Sequence, residues 1–184
     1  MNGPATVPPT TVPPPTVLVA GIGNIFFGDD GFGPAVAQTL GDWQLPPDVE
    51  VADFGIRGVH LAYQILEGGY RTVVLIDALP MGEAPGTLAV LEPEPGPASE
   101  PAAAASPVQL DAHSMSPAAV LSALRALGGV TPRVRVVGCQ PADLECGMTL
   151  SEPVRRAVEA AADLVVDTVL DELAGAEAAG VEVG

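Results

Sequence analysis

Two carboxylates and one imidazole are the groups in this chain that could do chemistry together. Asp30 follows a glycine-rich segment, Asp77 ends an apolar run, and His113 lies in a loop before a predicted helix. Asp29, beside Asp30, is the alternative first carboxylate. Two carboxylates and an imidazole form a plausible ligand set for a borderline divalent metal. Because three protein ligands leave positions open, such a metal could polarise a peptide carbonyl or activate water for hydrolysis.

Each of these residues also has an ordinary structural role when it is considered singly. A carboxylate at a strand end commonly caps the following turn, and Asp29 and Asp30 suit a turn beside a glycine. A single loop histidine is most often structural, and His60, within a predicted helix, is interpreted that way. The interpretation as a site therefore depends on a fold that brings the three groups to one place.

Strands that alternate with helices are predicted along most of the chain. Continuous apolar runs rich in β-branched residues predict buried strands, and apolar residues at helical spacing predict helices. This alternation is typical of an α/β fold, here a single-domain three-layer sandwich with a mostly parallel, twisted sheet and helices on both faces. Ligands of such sheets bind beyond the carboxyl ends of the strands, where the candidate residues are expected to share one rim. The predicted strands are 16–20, 49–53, 72–77, 86–92 and 133–138, and the predicted helices are 33–40, 59–67, 116–127 and 151–176.

Three segments differ in composition from the predicted domain, residues 16–176. Residues 1–15 are rich in proline and threonine, which predicts a disordered, polyproline-II-like tail. Residues 93–107, rich in Pro, Ala, Glu and Ser, are predicted to form a mobile surface loop within the domain. Residues 177–184 are predicted to form a flexible C-terminal tail.

The charge balance argues against several classes of partner. The 184 residues carry a formal net charge of -16, which disfavours nucleic acid and anionic membrane surfaces. No apolar run approaches the ~20 residues of a membrane span, and the first residues lack the features of a signal peptide. We therefore expect a cytoplasmic protein, and a monomer, since no long apolar surface stripe is evident. Every basic residue is arginine, which excludes a Walker or Schiff-base lysine.

A nucleotide-binding or metal-binding module without catalytic activity is one alternative. Gly21 and Gly23 directly after the first predicted strand suit a dinucleotide-binding turn, but Phe26 occupies the position of the third glycine. Asp29 and Asp30 would also stand where a pyrophosphate needs helix N–H groups. Because anion would meet anion, this alternative is the weaker one.

A Cys–His peptidase that uses Cys139 and His113 is the second alternative. A thiolate nucleophile needs a nearby base, and both residues are predicted near the same rim. The ordinary interpretation of Cys139 is a side chain that fills space under a strand end. Together with Cys146 it makes neither a disulfide framework nor a zinc cluster.

Five segments, in order and in register, resemble the hydrogenase maturation proteases. The segment from Gly21 to Gly33 resembles the opening motif of this family: G-x-G-N, a short apolar stretch, an acidic pair and x-x-G. The resemblance spans about residues 16–169, nearly all of the predicted domain. The other four segments are DFGIRG at 53–58, VLIDA at 74–78, DAHSM through VLSAL at 111–124, and VVGCQP through GMTLS at 136–151.

The resemblance implies an endopeptidase that removes the C-terminal extension of a nickel–iron hydrogenase large-subunit precursor after nickel insertion. Carried over by position, the metal-binding and catalytic residues are Asp30, Asp77 and His113. The nickel is expected to be carried by the substrate, and no organic cofactor is implied. The loop after the second strand is expected near the rim. Its residues assigned to substrate recognition are Gly55, Arg57 and Gly58.

Overall fold

A computed structural model describes residues 15–93 and 116–181 of the chain. Residues 1–14 of the predicted tail, residues 94–107 of the predicted loop, and His113 lie outside the described residues. Within the described residues, no helix is long and apolar enough to cross a membrane.

Within the part of the chain that the structure describes, five strands form one mixed sheet with the order β2-β1-β3-β5-β4. All neighbouring strands are parallel except β4, which pairs with β5 in the antiparallel direction at the edge of the sheet. The predicted α/β fold is therefore confirmed, and the observed strands extend one or two residues beyond the predicted carboxyl ends at β1, β2, β3 and β5. The strands are β1 (Val17–Ile22), β2 (Val49–Gly55), β3 (Thr72–Ala78), β4 (Leu88–Leu91) and β5 (Arg133–Cys139).

Four α-helices of the described segments, 15–93 and 116–181, cover the two faces of the sheet. Their bounds are α1 (Phe32–Gly41), α2 (Gly58–Gly68), α3 (Pro117–Ala126) and α4 (Glu152–Val181), and a short 3₁₀ helix (Gly28–Gly31) precedes α1. Helices α1 and α4 pack on one face, and α2 and α3 pack on the other. Alternate residues of β1, such as Val17 and Leu18, enter opposite cores because successive strand side chains point to opposite faces.

Helix α4 is longer than its sequence pattern predicted. It continues to Val181, so residues 177–181 of the predicted tail are helical, and residues 182–184 of that tail lie outside the described residues. Residues 177–181 are mostly alanine and glutamate, which are strong helix formers, and extending an existing helix requires no new nucleation. Glu172 of α4 also anchors the helix to the sheet through the Arg135 guanidinium, at an Nε–O distance of 2.8 Å.

The chain reverses its direction of travel across the sheet between β1 and β3. From β1 it passes through α1 to β2 on one side, and β3 lies on the other side of β1. Helix α1 can begin directly over this crevice because Gly33 has no side chain. A Cβ at Gly33 would stand 2.2 Å from the carbonyl oxygens of both Ile22 and Ile76. This switch point is the place where open α/β sheets bind their ligands.

Candidate active site

Asp30 lies at the switch point, in the 3₁₀ helix that joins β1 to α1. Its side chain is partly buried, and its Oδ2 accepts a hydrogen bond of 2.7 Å from the backbone N–H of Asn24. Burial raises the pKa of the Asp30 carboxyl above its usual range, although the bond from Asn24 partly offsets this. The other oxygen, Oδ1, receives no hydrogen bond from the described residues, so it can accept a proton or a cation.

Asp77 is the next-to-last residue of β3, on the other side of the crevice. Asp77 is only 2% exposed, and its Oδ1 has no hydrogen-bond partner among the described residues. Burial, together with the negative charge of Asp30, raises the pKa of Asp77 to about 8, and a hydrogen bond from the backbone of Ala78 opposes this only in part. Asp77 is therefore a buried acid that lacks a compensating positive charge among the described residues.

The pair of Asp30 and Asp77 suits a divalent cation. Carboxylate oxygens bind such ions, and one cation would compensate both negative charges and the unpartnered Oδ1 of Asp77. Within residues 15–93 and 116–181, no group of three His, Cys, Asp or Glu side chains is close enough to hold an ion. His113, the predicted third ligand, lies outside the described residues, so its place in the site stays a prediction.

Asp29 faces away from this pair. It is fully buried and accepts four hydrogen bonds from the segment 142–151. Burial alone would raise its pKa, but the hydrogen bonds from the backbone of Ser151, Asp143 and Ala142 lower it below the usual value. Since its acceptor capacity is used within the protein, the geometry favours Asp30 over Asp29 as a ligand.

The loop between β2 and α2 forms one wall of a cleft beside the site. This cleft has a volume of about 240 Å³, and its lining includes Gly55 and Arg57, opposite Ile25 and Phe26. The Arg57 guanidinium donates to the backbone carbonyls of Asp53 and Phe54 (3.1 Å to Phe54) and so helps to fix the loop. Two of the residues assigned to substrate recognition thus line a cleft, whereas Gly58 is buried at the first position of α2.

Exposed apolar side chains surround the site, and sequence reasoning did not single them out. Three come from the loop after β1, one from the loop after β2, and two from the loop after β5. They are Ile25 (47% exposed), Phe26 (54%), Phe27 (42%), Ile56 (51%), Leu144 (44%) and Met148 (71%), and we call them the apolar rim. Adjacent phenylalanines in a predicted loop, in a chain with four in all, were the available signal.

Cys139 does not have the environment of a nucleophile. Its side chain is fully buried within the core between the sheet and helices α1 and α4. Burial and the nearby Asp29 carboxylate raise the pKa of the Cys139 thiol to about 11, so the thiolate is disfavoured. The alternative of a Cys–His peptidase is therefore not supported, and the packing interpretation of Cys139 is correct.

Comparison with known proteins agrees with this fold. The family model described as hydrogenase maturation protease matches residues 34–168, more than half of the chain. The hydrogenase expression/formation protein HupD of Rhizobium leguminosarum bv. viciae is 33% identical over 152 residues, which cover 82% of this chain and 72% of that protein.

Solved structures of hydrogenase maturation peptidases have a similar fold. The hydrogenase maturating endopeptidase HybD from E. coli superimposes with a TM-score of 0.65 at 29% identity, covering 85% of this chain and 93% of that one. The [NiFe] hydrogenase maturation protease HycI from Thermococcus kodakarensis KOD1 gives a TM-score of 0.61 at 26% identity, covering 82% and 90%.

The fold is that of a single-domain α/β protein with a mostly parallel sheet, and the carboxylate pair at its switch point is the candidate site. The chain belongs to the hydrogenase maturation protease family. It is accordingly a peptidase, and the resemblance found in its five sequence segments is confirmed.

Proposed function

We propose that this peptidase removes the C-terminal extension of a nickel–iron hydrogenase large-subunit precursor after nickel has been inserted. It recognises the bound nickel through Asp30, Asp77 and His113. The nickel arrives as part of the substrate, and the protein keeps no organic cofactor. The names of the relatives, which refer to hydrogenase formation and maturation, support the choice of a hydrogenase precursor.

The observation that carries this proposal is the unpartnered Oδ1 of the buried Asp77. An uncompensated buried carboxylate is costly, and the hydrogen bond from the backbone of Ala78 offsets only part of the lost hydration of Asp77. The neighbouring Asp30 increases that cost through charge repulsion. A divalent cation presented by the substrate would relieve both effects, so the pair is suited to detect a bound metal ion.

The raised pKa of Asp77 offers a physical reason why cleavage would depend on nickel. With a pKa of about 8, Asp77 is mostly protonated at neutral pH and is then a poor base and a poor ligand. A cation near the carboxylates favours the ionised form, which can orient an attacking water and accept its proton. The free enzyme would thus be held inactive until a metal-loaded substrate is bound.

The surroundings of the site support a polypeptide substrate. Ile25 separates two clefts, the one beside Arg57 and a larger one of about 480 Å³ that reaches Met148 and Leu150. Of the apolar rim, Ile25, Phe26 and Ile56 line the smaller cleft, and Ile25 and Met148 line the larger one. Exposed apolar side chains around a site favour contact with another protein. Such a surface can hold the chain on both sides of a scissile bond.

Substitutions in the site test the proposal directly. Purified Asp30→Asn, Asp77→Asn and His113→Ala variants are incubated with nickel-loaded precursor, and removal of the extension is followed by mass spectrometry. We expect a loss of processing of at least about 10²-fold in each variant, because each change removes a group that contacts the metal ion or the reacting water.

Matched controls separate this result from a general loss of structure. Asp163→Asn changes an exposed carboxylate on α4, and His60→Ala changes an exposed histidine on α2. Both controls should process at the wild-type rate, and circular dichroism should show all variants folded. Normal processing by the three site variants would show that the assignment of the site is wrong.

A further inference from the structure

The two neighbouring carboxylates of the acidic pair have different environments, and this difference indicates different roles. We propose that Asp29 is a positioning residue that clamps the 3₁₀ helix carrying Asp30 onto the segment 142–151 and thereby holds the Asp30 carboxylate in place for catalysis. This inference rests on the proposed function, because that function gives Asp30 its catalytic role.

The Asp29 carboxylate joins three points of the segment 142–151. Its Oδ2 accepts from the backbone N–H groups of Ala142 at 2.8 Å and Asp143 at 3.0 Å. Its Oδ1 accepts from the backbone N–H of Ser151 at 2.6 Å, and the Ser151 hydroxyl donates to Oδ2 at 2.8 Å. Because Asp29 is fully buried, water cannot readily replace these donors if the carboxylate is removed.

Backbone hydrogen bonds next to this clamp also join the residues just before Asp30 to the segment 142–151. The N–H of Gly28 donates to the carbonyl of Gly147 at 2.8 Å, and the N–H of Asp29 donates to the carbonyl of Asp143 at 2.9 Å. In the reverse direction, the N–H of Gly147 donates to the carbonyl of Phe26 at 2.9 Å. The 3₁₀ helix and the residues just before it are therefore held against the segment 142–151 by backbone hydrogen bonds as well as by the Asp29 side chain.

Asp30 itself has few other supports. Its N–H donates to the carbonyl of Phe27 at 3.0 Å, and its side chain accepts from the N–H of Asn24 at 2.7 Å. Both partners belong to the same loop that Asp29 fastens. Release of the clamp would let this loop shift as a unit, and a displacement of about 1 Å in a catalytic group can slow a reaction about 10²-fold.

A graded change at Ser151 tests the clamp with less risk to folding than a change at Asp29. Ser151→Ala removes the hydroxyl donor and leaves the backbone donors in place, whereas Ser151→Thr keeps a hydroxyl. Thr72→Val is the matched control: the Thr72 hydroxyl donates to the buried Glu172 carboxylate at 3.3 Å, at the opposite end of the sheet. Ser151→Ala and Thr72→Val thus each remove a hydrogen bond from a hydroxyl to a buried carboxylate. Only the bond that Ser151→Ala removes lies at the clamp.

Two readouts are compared, kcat and KM for nickel-loaded precursor and the hydrogen exchange of the Asn24 amide in the protein alone. For Ser151→Ala we expect kcat to fall roughly tenfold with KM unchanged, and the Asn24 amide to exchange faster. Ser151→Thr should restore both readouts, and Thr72→Val should alter neither. Asp29→Asn, if it folds, should show the larger loss, about 10²-fold in kcat.

The proposal is overturned if Ser151→Ala keeps the wild-type kcat and the wild-type exchange rate at Asn24. Equal losses in Ser151→Ala and Thr72→Val would also overturn it, because they would indicate a general effect of stability. If the wild-type protein processes no precursor, the proposed function fails instead, and the Asn24 amide alone then decides whether Asp29 positions the loop.

Discussion

Replacing Asp77 with asparagine should make the protein more stable at alkaline pH while removing its activity. Asparagine has nearly the shape of the protonated aspartic acid but cannot ionise. In the wild-type protein, ionisation places an uncompensated charge in a buried position beside Asp30. A site that holds such a charge for function reduces the stability of the fold.

The size of the effect follows from the pKa of Asp77. Its folded-state value of about 8 exceeds the ordinary value of 3.8 by about four units, which corresponds to roughly 5 kcal/mol at most. Because the folded-state pKa is raised, the stability gained by protonation is fully present below about pH 4 and is lost as the pH rises through about 8. The free energy of unfolding of the wild-type protein should therefore fall across this window.

Urea denaturation between about pH 5 and pH 9, in the presence of a chelator, measures this difference. The free energy of unfolding of Asp77→Asn should exceed that of the wild type by a margin that grows with pH. Since the other titrating groups are common to both proteins, their contributions cancel in the comparison. Asp30→Asn should reduce the slope only in part, because burial is the larger cause of the shift. Parallel curves for the wild type and Asp77→Asn would refute the reasoning.

Three further predictions concern the surroundings of the pair. Phe26→Ser should raise KM for the precursor about tenfold, whereas Val130→Ser, at a residue 90% exposed and far from the site, should leave KM unchanged in the same assay. Cys139→Ala should keep the wild-type processing rate and lower the free energy of unfolding by about 1 kcal/mol in urea titrations, since the thiol only fills the core. Gly23→Ala should destabilise the protein by roughly 2 kcal/mol or more and reduce processing, because Gly23 has a φ of 128° and a Cβ there would lie 1.9 Å from the Asp30 carbonyl oxygen.

The sequence predicted the fold well because local signals agreed with the global pattern. The run of Thr72 to Asp77 is apolar on both faces, as a central parallel strand requires, and β3 is buried at every position. At α3, serine is a favoured N-cap residue and proline a favoured first helical residue, so Ser116 and Pro117 mark the start of the predicted helix 116–127. The Ser116 hydroxyl accepts from the N–H of Ala119 at 3.2 Å, which confirms this start.

The details of the site depended on contacts between distant segments, which a single sequence does not reveal. Asp29 and Asp30 are neighbours of the same type, and only the approach of Ser151, more than 100 residues away, shows that Asp29 is used within the fold. The exposure of the apolar rim likewise depends on how three loops meet. The predicted helix 151–176 ends before α4 does, because helix formers after residue 176 carry the helix to Val181.

Under the proposed function, the enzyme checks for nickel before it cuts. The most direct measurement compares the rate at which the wild-type protein removes the C-terminal extension from nickel-loaded and nickel-free precursor, followed by mass spectrometry. We expect cleavage of the nickel-loaded precursor alone. Equal cleavage of both forms would contradict the nickel-sensing role of Asp30, Asp77 and His113, and no cleavage of either form would contradict the proposed substrate.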